Sequence, residues 1–133
     1  MLKEFNVVTK DRYQLIDITD QVEEIIKESK IKHGLALIFV LHSTAGIFLT
    51  ENEPGLRQDW LQVFKKMISG YNFLHNKIDN NADSHIFSGL IGQEKSLIVE
   101  NGKSIRGTWQ QIFLAELDGP RTRKVAVKVV YAE

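Results

Sequence analysis

Seven consecutive residues, Leu35-Ala36-Leu37-Ile38-Phe39-Val40-Leu41, carry no polar side chain. No other segment constrains the fold as tightly. The run is far too short to cross a bilayer as a helix, which needs about 20 apolar residues. It reads instead as a strand. A strand that is apolar at every position is covered on both faces, so this one is expected at the centre of its sheet or packed against a partner subunit.

The flanking segments supply the rest of a mixed fold. Residues 3–9 alternate as a half-buried strand does, and Lys10-Asp11-Arg12 turns the chain into a second strand from Tyr13 to Ile18. Asp20, with Glu23 three residues on, forms a capping box for a helix reaching about Ser29. Val22, Ile25 and Ile26 give that helix an apolar stripe, and Gly34 suits the position beyond its end. After Ile47-Phe48-Leu49, the pair Glu53-Pro54 opens a second helix carrying Leu56, Trp60, Val63, Phe64 and Met67 at helical spacing. A polar loop from Ser69 to Asn81 leads to a short helix near 82–91. Strands at Lys95 to Glu100 and Ile105 to Leu117 are joined by Asn101-Gly102, a strong hairpin signal. Asp118-Gly119-Pro120 turns into a last strand with Val125, Val127, Val129 and Tyr131 on one face and Lys124 and Lys128 on the other. This order predicts an α+β fold, a single compact domain of mostly antiparallel sheets with about three helices over residues 1–133.

Composition narrows the function classes. Lys plus Arg and Asp plus Glu number 17 each, so the chain lacks the basic excess of a typical nucleic-acid binder. The absence of cysteine excludes disulfides, thiolate nucleophiles and Cys-ligated zinc. The N-terminus has no long apolar core behind a basic start, so no signal peptide, no membrane partner and a cytoplasmic location are expected.

Several polar residues stand where a fold presents chemistry. His42 ends the apolar strand and precedes Ser43-Thr44-Ala45-Gly46; an imidazole there can ligate a metal or move a proton near neutral pH. Ser43 and Thr44 suit an anion better than a nucleophile's role, since no Ser-His-Asp spacing accompanies them. In Asp79-Asn80-Asn81-Ala82-Asp83-Ser84-His85, His85 shares a helix face with Ala82, Gly89 and Gly92, a face bare except for the imidazole. His75 can reach the same region through the loop. Three histidines with nearby carboxylates suit Zn²⁺ or another divalent ion. The alternative is an acidic helix cap with an incidental histidine.

Gly107-Thr108-Trp109-Gln110 opens the long strand, where Gln110 and Glu116 bracket two apolar residues on a core face. Buried polar groups there are costly unless paired or serving a ligand. Arg121, in a tight turn, can hold phosphate bidentately; the simpler alternative is a salt bridge between Glu116 and an arginine that stabilises the turn. His42, His85, the Gly-Thr-Trp-Gln run, Glu116 and Arg121 are expected to converge on one polar pocket.

Together, His42-Ser43-Thr44-Ala45, Asp79 to Ile86, Gly107-Thr108-Trp109-Gln110 and Glu116-Leu117-Asp118-Gly119-Pro120-Arg121 resemble the YjbQ-like family over essentially the whole chain. Its members are often labelled secondary thiamine-phosphate synthases. The resemblance implies a homotrimer with pockets near the subunit boundaries. It also implies a weak joining of a hydroxymethylpyrimidine diphosphate to a thiazole phosphate, with release of pyrophosphate and a requirement for Mg²⁺. By position, His42, His85, Glu116 and Arg121 match motif residues, and His75 matches more loosely. The chain departs from the family's usual pattern where Ser43-Thr44 replaces Thr-Ser, where Thr50 precedes Glu51-Asn52, and where Arg106 precedes the Gly-Thr-Trp-Gln run.

Three functions are compatible with these residues. One is a metal-assisted transferase acting on a phosphorylated small molecule, with His42, His85 and Glu116 catalytic and His42, His75 and His85 as metal ligands. The second is a module that binds a metal or phosphate ligand in the same pocket without catalysis. The third is a structural oligomer whose polar residues bridge subunits.

Overall fold

The computed structural model covers residues 1–133. The chain runs through β1 (Leu2–Val8), β2 (Gln14–Asp17), α1 (Thr19–Ser29), β3 (His33–Val40) and β4 (Ala45–Thr50). It continues through α2 (Pro54–Met67), a 3-10 turn (Leu74–Lys77), α3 (Ala82–Ile91), β5 (Glu94–Glu100), β6 (Lys103–Ser104), β7 (Gln111–Glu116) and β8 (Thr122–Tyr131). Two antiparallel sheets result, one ordered β1-β8-β3-β5-β6 and the other β2-β7-β4. The α+β expectation therefore holds.

The layers follow from which faces are apolar. One face of the large sheet (Ala36, Ile38, Val40, Val125, Val127 and Val129) packs against Ile47, Ile112 and Leu114 of the small sheet, with α1 contributing Val22, Ile25 and Ile26. The other face of the small sheet supplies Phe48, Phe113 and Ala115 to a second core with Phe64 of α2 and Phe87 of α3. Strand β7 lies between the two cores and is covered on both faces: Ile112 and Leu114 point one way, Phe113 and Ala115 the other. Edge-to-face and tilted ring contacts tie the second core together, with Phe48–Trp60 at 5.2 Å and Phe64–Phe87 at 4.9 Å.

Three local expectations change. Strand β3 is central, between β8 and β5, but only its Gly34-Ala36-Ile38-Val40 face is buried, while Leu35, Leu37, Phe39 and Leu41 are exposed. An apolar run alone cannot tell which face a neighbouring layer covers. Helix α1 is preceded by Asp17, whose Oδ1 accepts from Thr19 N at 2.9 Å, and not capped by an Asp20–Glu23 box. Glu23 instead accepts from the Ser104 backbone N–H at 3.3 Å and pairs with Arg106 at 3.7 Å. Finally, the long strand drawn from Ile105 to Leu117 is broken. Gly107 to Gln110 form an exposed turn, closed by Gln110 N donating to Gly107 O at 3.0 Å and Gly107 N donating to Gln110 Oε1 at 2.7 Å.

The Asn101-Gly102 hairpin between β5 and β6 forms as expected, with φ of 53° and 75° at its two central residues. That pairing of left-handed conformations is the one Asn-Gly accommodates at least cost. No helix is long and apolar enough to cross a membrane.

Candidate functional site

Three chain reversals meet at one end of the sheets: the turn from β3 to β4, the turn from β7 to β8, and the N-terminus of α3. Between them lies a recess of about 490 Å³ whose lining contains no hydrophobic residue. His42, Ser43 and Thr44 come from the first turn; Asp118, Arg121, Thr122 and Arg123 from the second; Asn81 and His85 from α3.

Beneath the recess sits a buried ion pair. Arg123 is 1% exposed and Glu116 is 0% exposed, and burial at that level requires full compensation of both charges. Arg123 Nε donates to both Glu116 oxygens at 3.0 Å, and its Nη2 donates to Thr44 O at 3.0 Å and Thr44 Oγ1 at 2.9 Å. Glu116 also accepts from Thr9 Oγ1 at 2.6 Å and from Asp118 N at 3.1 Å. Thr9 Oγ1 accepts in turn from Arg121 N at 2.8 Å. One buried pair thus fixes both turns: the Thr44 carbonyl and hydroxyl on one side, and the Asp118 and Arg121 backbones on the other.

A second network holds the walls. Asp118 Oδ2 accepts from Arg121 Nη2 at 3.0 Å and from Asn81 Nδ2 at 2.8 Å, and Asp118 O accepts from Arg121 Nε at 2.8 Å. Because the Asn81 amide nitrogen faces a carboxylate, its Oδ1 must accept, and the contact with His75 Nε2 at 2.8 Å places a proton on that nitrogen. The His75 ring then stands edge-on to His85, with centroids 4.9 Å apart. Behind this wall, Arg12 donates to Asp83 Oδ1 at 3.0 Å and to the Asn80 carbonyl at 3.1 Å. Tyr13 donates to Asp83 through a short hydrogen bond, and burial, with Asp83 next in weight, pushes the Tyr13 hydroxyl pKa well above the ordinary range.

The two imidazoles of the recess differ in state. His42 Nε2 accepts from the Lys124 backbone N–H at 2.9 Å, so the neutral ring carries its proton on Nδ1. Burial lowers the His42 pKa first, and the nearby Arg123 guanidinium lowers it further, outweighing Glu116. The field at His42 is therefore positive, and the ring is a fixed N–H donor at neutral pH. His85, half-buried, has no side-chain hydrogen bond to the protein. NMR titration should give His42 a midpoint below the ordinary value of about 6.5. A pKa depressed by folding means that the stability tied to neutral His42 is present above about pH 6.5 and is lost as pH falls through the lowered value. A midpoint at or above about 6.5 would mean that burial and the Arg123 charge do not govern the ring.

The expected site residues fall into two groups. His42, Ser43, Thr44, His85 and Arg121 line the recess, Glu116 lies beneath it, and His75 stands behind His85. Gly107, Thr108, Trp109 and Gln110 are elsewhere. Gln111 and Glu116 are the two ends of β7, separated by roughly 17 Å at about 3.4 Å per residue, so a single chain does not bring the Gly-Thr-Trp-Gln turn to the recess. Trp109 is 70% exposed there.

The Glu116–arginine salt bridge forms with Arg123 as the partner, while Arg121 pairs with Asp118. The histidines do not form the expected three-ligand metal shell: His42 Nε2 accepts from the Lys124 backbone, and no group of three or more His, Cys, Asp or Glu residues is arranged to hold a metal ion. Arg123, Asn81, Asp118, Thr9 and Arg12 were not singled out from the sequence. Arg123 carried a readable signal, because it shares its strand face with Val125, Val127 and Val129, where a cation must find a buried partner.

The sequence model described as "UPF0047 protein YjbQ-like" matches residues 3–132. The chain belongs to the YjbQ-like UPF0047 family. Relatives within it include UPF0047 protein MJ1081 of Methanocaldococcus jannaschii, 42% identical over 98% of this chain and 94% of that protein. UPF0047 protein YugU of Bacillus subtilis is 40% identical over 98% and 99% of the two chains. Among solved structures, a YbjQ-like protein of unknown function from Sulfolobus solfataricus superposes with a TM-score of 0.96 at 44% identity, covering 99% of this chain and 97% of that one. A hypothetical protein from Aeropyrum pernix superposes with a TM-score of 0.95 at 33% identity, over 99% of each chain. The UPF0047 fold thus accounts for both sheets and for the reversals that build the recess.

Proposed function

We propose that this UPF0047 chain is a transferase of the thiamine-phosphate synthase type, acting on phosphorylated small molecules. The observation that carries the reading is the recess itself: wholly polar walls, an N–H donor fixed on His42, an unpaired imidazole on His85 and the half-exposed guanidinium of Arg121. Donors held in place by protein suit phosphoryl oxygens, because they need no reorganisation as charge develops. Arg121 Nε and Nη2 are bound to Asp118, which aims the remaining amino group.

In the transfer, the thiazole nitrogen forms the new C–N bond as the C–O bond to the diphosphate breaks, and pyrophosphate leaves with the electron pair. His42 Nδ1–H and Arg121 stabilise that leaving anion, and His85 is placed to donate or take a proton. Glu116 positions rather than reacts, since all its contacts are internal. The donor set does not fit a resident metal shell, so no step is assigned to one. Incubating the protein with hydroxymethylpyrimidine diphosphate and thiazole phosphate should release pyrophosphate slowly, and His85→Ala should abolish that release. Turnover unchanged in His85→Ala would remove the catalytic role.

The same reading includes a homotrimer. Leu35, Ile98 and Val130 are register partners across β5, β3 and β8, and all three are exposed, as is Leu37 beside them. A contiguous apolar row of this kind marks a contact surface. Sedimentation should give three chain masses, and Leu35→Glu should dissociate the assembly; a monomer at micromolar concentration would sink the assignment.

A further inference from the structure

The end of the molecule opposite the recess carries a second groove, of about 530 Å³, between α1 and the β5–β6 hairpin. Lys32 precedes β3 and His42 follows it, so the two sites lie a strand's length apart, roughly 27 Å at about 3.4 Å per residue.

Four lysines converge on this groove from three segments: Lys27 in α1, Lys30 and Lys32 between α1 and β3, and Lys103 in the hairpin. The lysine salt bridges of the chain are Lys3–Glu28 and Lys124–Glu4, so all four ammonium groups around the groove are unpaired. The helix dipole accounts for Lys27 and Lys30 at the C-terminus of α1, but not for Lys32 and Lys103. The hairpin tip is tied to the same corner by Gly102 N, which donates to Lys32 O at 3.1 Å. Lys30 also occupies the left-handed C-cap of α1, with φ of 60°, where glycine costs least. Like charges gathered in one place, one of them on unfavourable backbone, call for a negative partner.

The groove also has a polarity. Asp20 and Glu24 line it toward the N-terminal end of α1, while Glu23 is taken up by Ser104 and Arg106. From the midpoint of Asp20 and Glu24 to that of Lys27 and Lys30 is about 10 Å along the helix, at about 1.5 Å per residue. An extended chain covers that distance in about three residues. We propose that the groove docks an extended acidic peptide segment of a partner protein. Its carboxylates lie over the lysines, and a basic residue about three positions away lies over Asp20 and Glu24. A compact phosphate cluster fits less well, because lysines lack arginine's planar fork and an anion filling the groove would also meet the two carboxylates.

Fluorescence anisotropy on the intact protein tests this with short labelled peptides. Two carry a Glu triplet with a Lys about three positions before or after it, and a control carries the triplet alone. One mixed-charge peptide should bind about threefold more tightly than the control. Lys27→Gln combined with Lys103→Gln should weaken binding about tenfold. Asp20→Lys combined with Glu24→Lys should reverse the order, placing the control ahead of both mixed peptides. All these side chains are exposed, so the melting temperature should hold in each variant. Absence of peptide binding, or binding that the lysine variant leaves unchanged, overturns the proposal. Equal affinity for mixed and control peptides removes the polarity and the extended partner with it. If inorganic tripolyphosphate binds more tightly than any peptide and the lysine variant loses it, the groove is a compact-anion site and the proposal fails.

Discussion

Replacing Glu116 by alanine should cost the fold about 3–5 kcal/mol, because it strands the buried Arg123 guanidinium without its counter-charge. Thr9 Oγ1 and Asp118 N would lose their acceptor in the same substitution. The melting temperature should fall by roughly 10–20 °C for a chain of this size. Glu116→Gln should be milder, since it keeps the shape and one acceptor oxygen, yet it still leaves the Arg123 charge unmatched. Exchanging the pair for Leu and Met should recover part of the loss but not all of it. Thr44 O and Thr44 Oγ1, which accept from Arg123, would remain without a donor. A loss under about 1 kcal/mol for Glu116→Ala, measured by urea unfolding, would mean that water reaches Arg123 and that the two turns are not fixed by this pair.

Replacing Arg121 by alanine should separate function from stability in the opposite direction. The Arg121 side chain is 51% accessible, and its buried partner Asp118 keeps Asn81 and Arg12 as further partners when Arg121 is removed. Such pairs contribute about 0–1 kcal/mol, so the melting temperature should barely move. A hydrogen bond to a charged group is worth about 1.5–3 kcal/mol, and pyrophosphate affinity should therefore drop roughly 10- to 100-fold. Arg121→Lys should restore charge but not the aimed planar fork held by Asp118, and should recover only part of the affinity. Equal pyrophosphate binding by wild type and Arg121→Ala would place the anion away from the β7–β8 turn.

The contrast between these two arginines shows what the sequence made legible and what it did not. Hairpin and helix boundaries with strong local chemistry were readable: Asn101-Gly102, Glu53-Pro54 and the polar segment ahead of α3 each act through backbone geometry within a few residues. The site residues His42, His85 and Arg121 were readable because each stands beside a chain reversal. What escaped depends on layers distant in sequence. The run Leu35 to Leu41 looks covered on both faces, yet the small sheet lies against one face only. Gln110 and Glu116 were placed on one strand face, but the Arg106 side chain binds Gln111 Oε1 at 3.1 Å and the chain turns before β7 begins. The sequence points to an arginine partner for Glu116 near the turn, and strand parity favours Arg123 over Arg121. Asn81 stands at the N-cap position of α3 without a side-chain cap hydrogen bond; its side chain links His75 to Asp118, and Asn76 Oδ1 accepts from Ala82 N at 3.0 Å.

The account rests on a phosphate-type anion being held between the two imidazoles and Arg121. The most direct test follows the imidazole resonances of the four histidines by NMR while inorganic pyrophosphate is added. His42 and His85 should shift together along one saturable curve, while His33, paired with Glu100 where β3 begins and β5 ends, stays unmoved. Shifts absent from both site histidines at saturating pyrophosphate, or confined to His33, would contradict it.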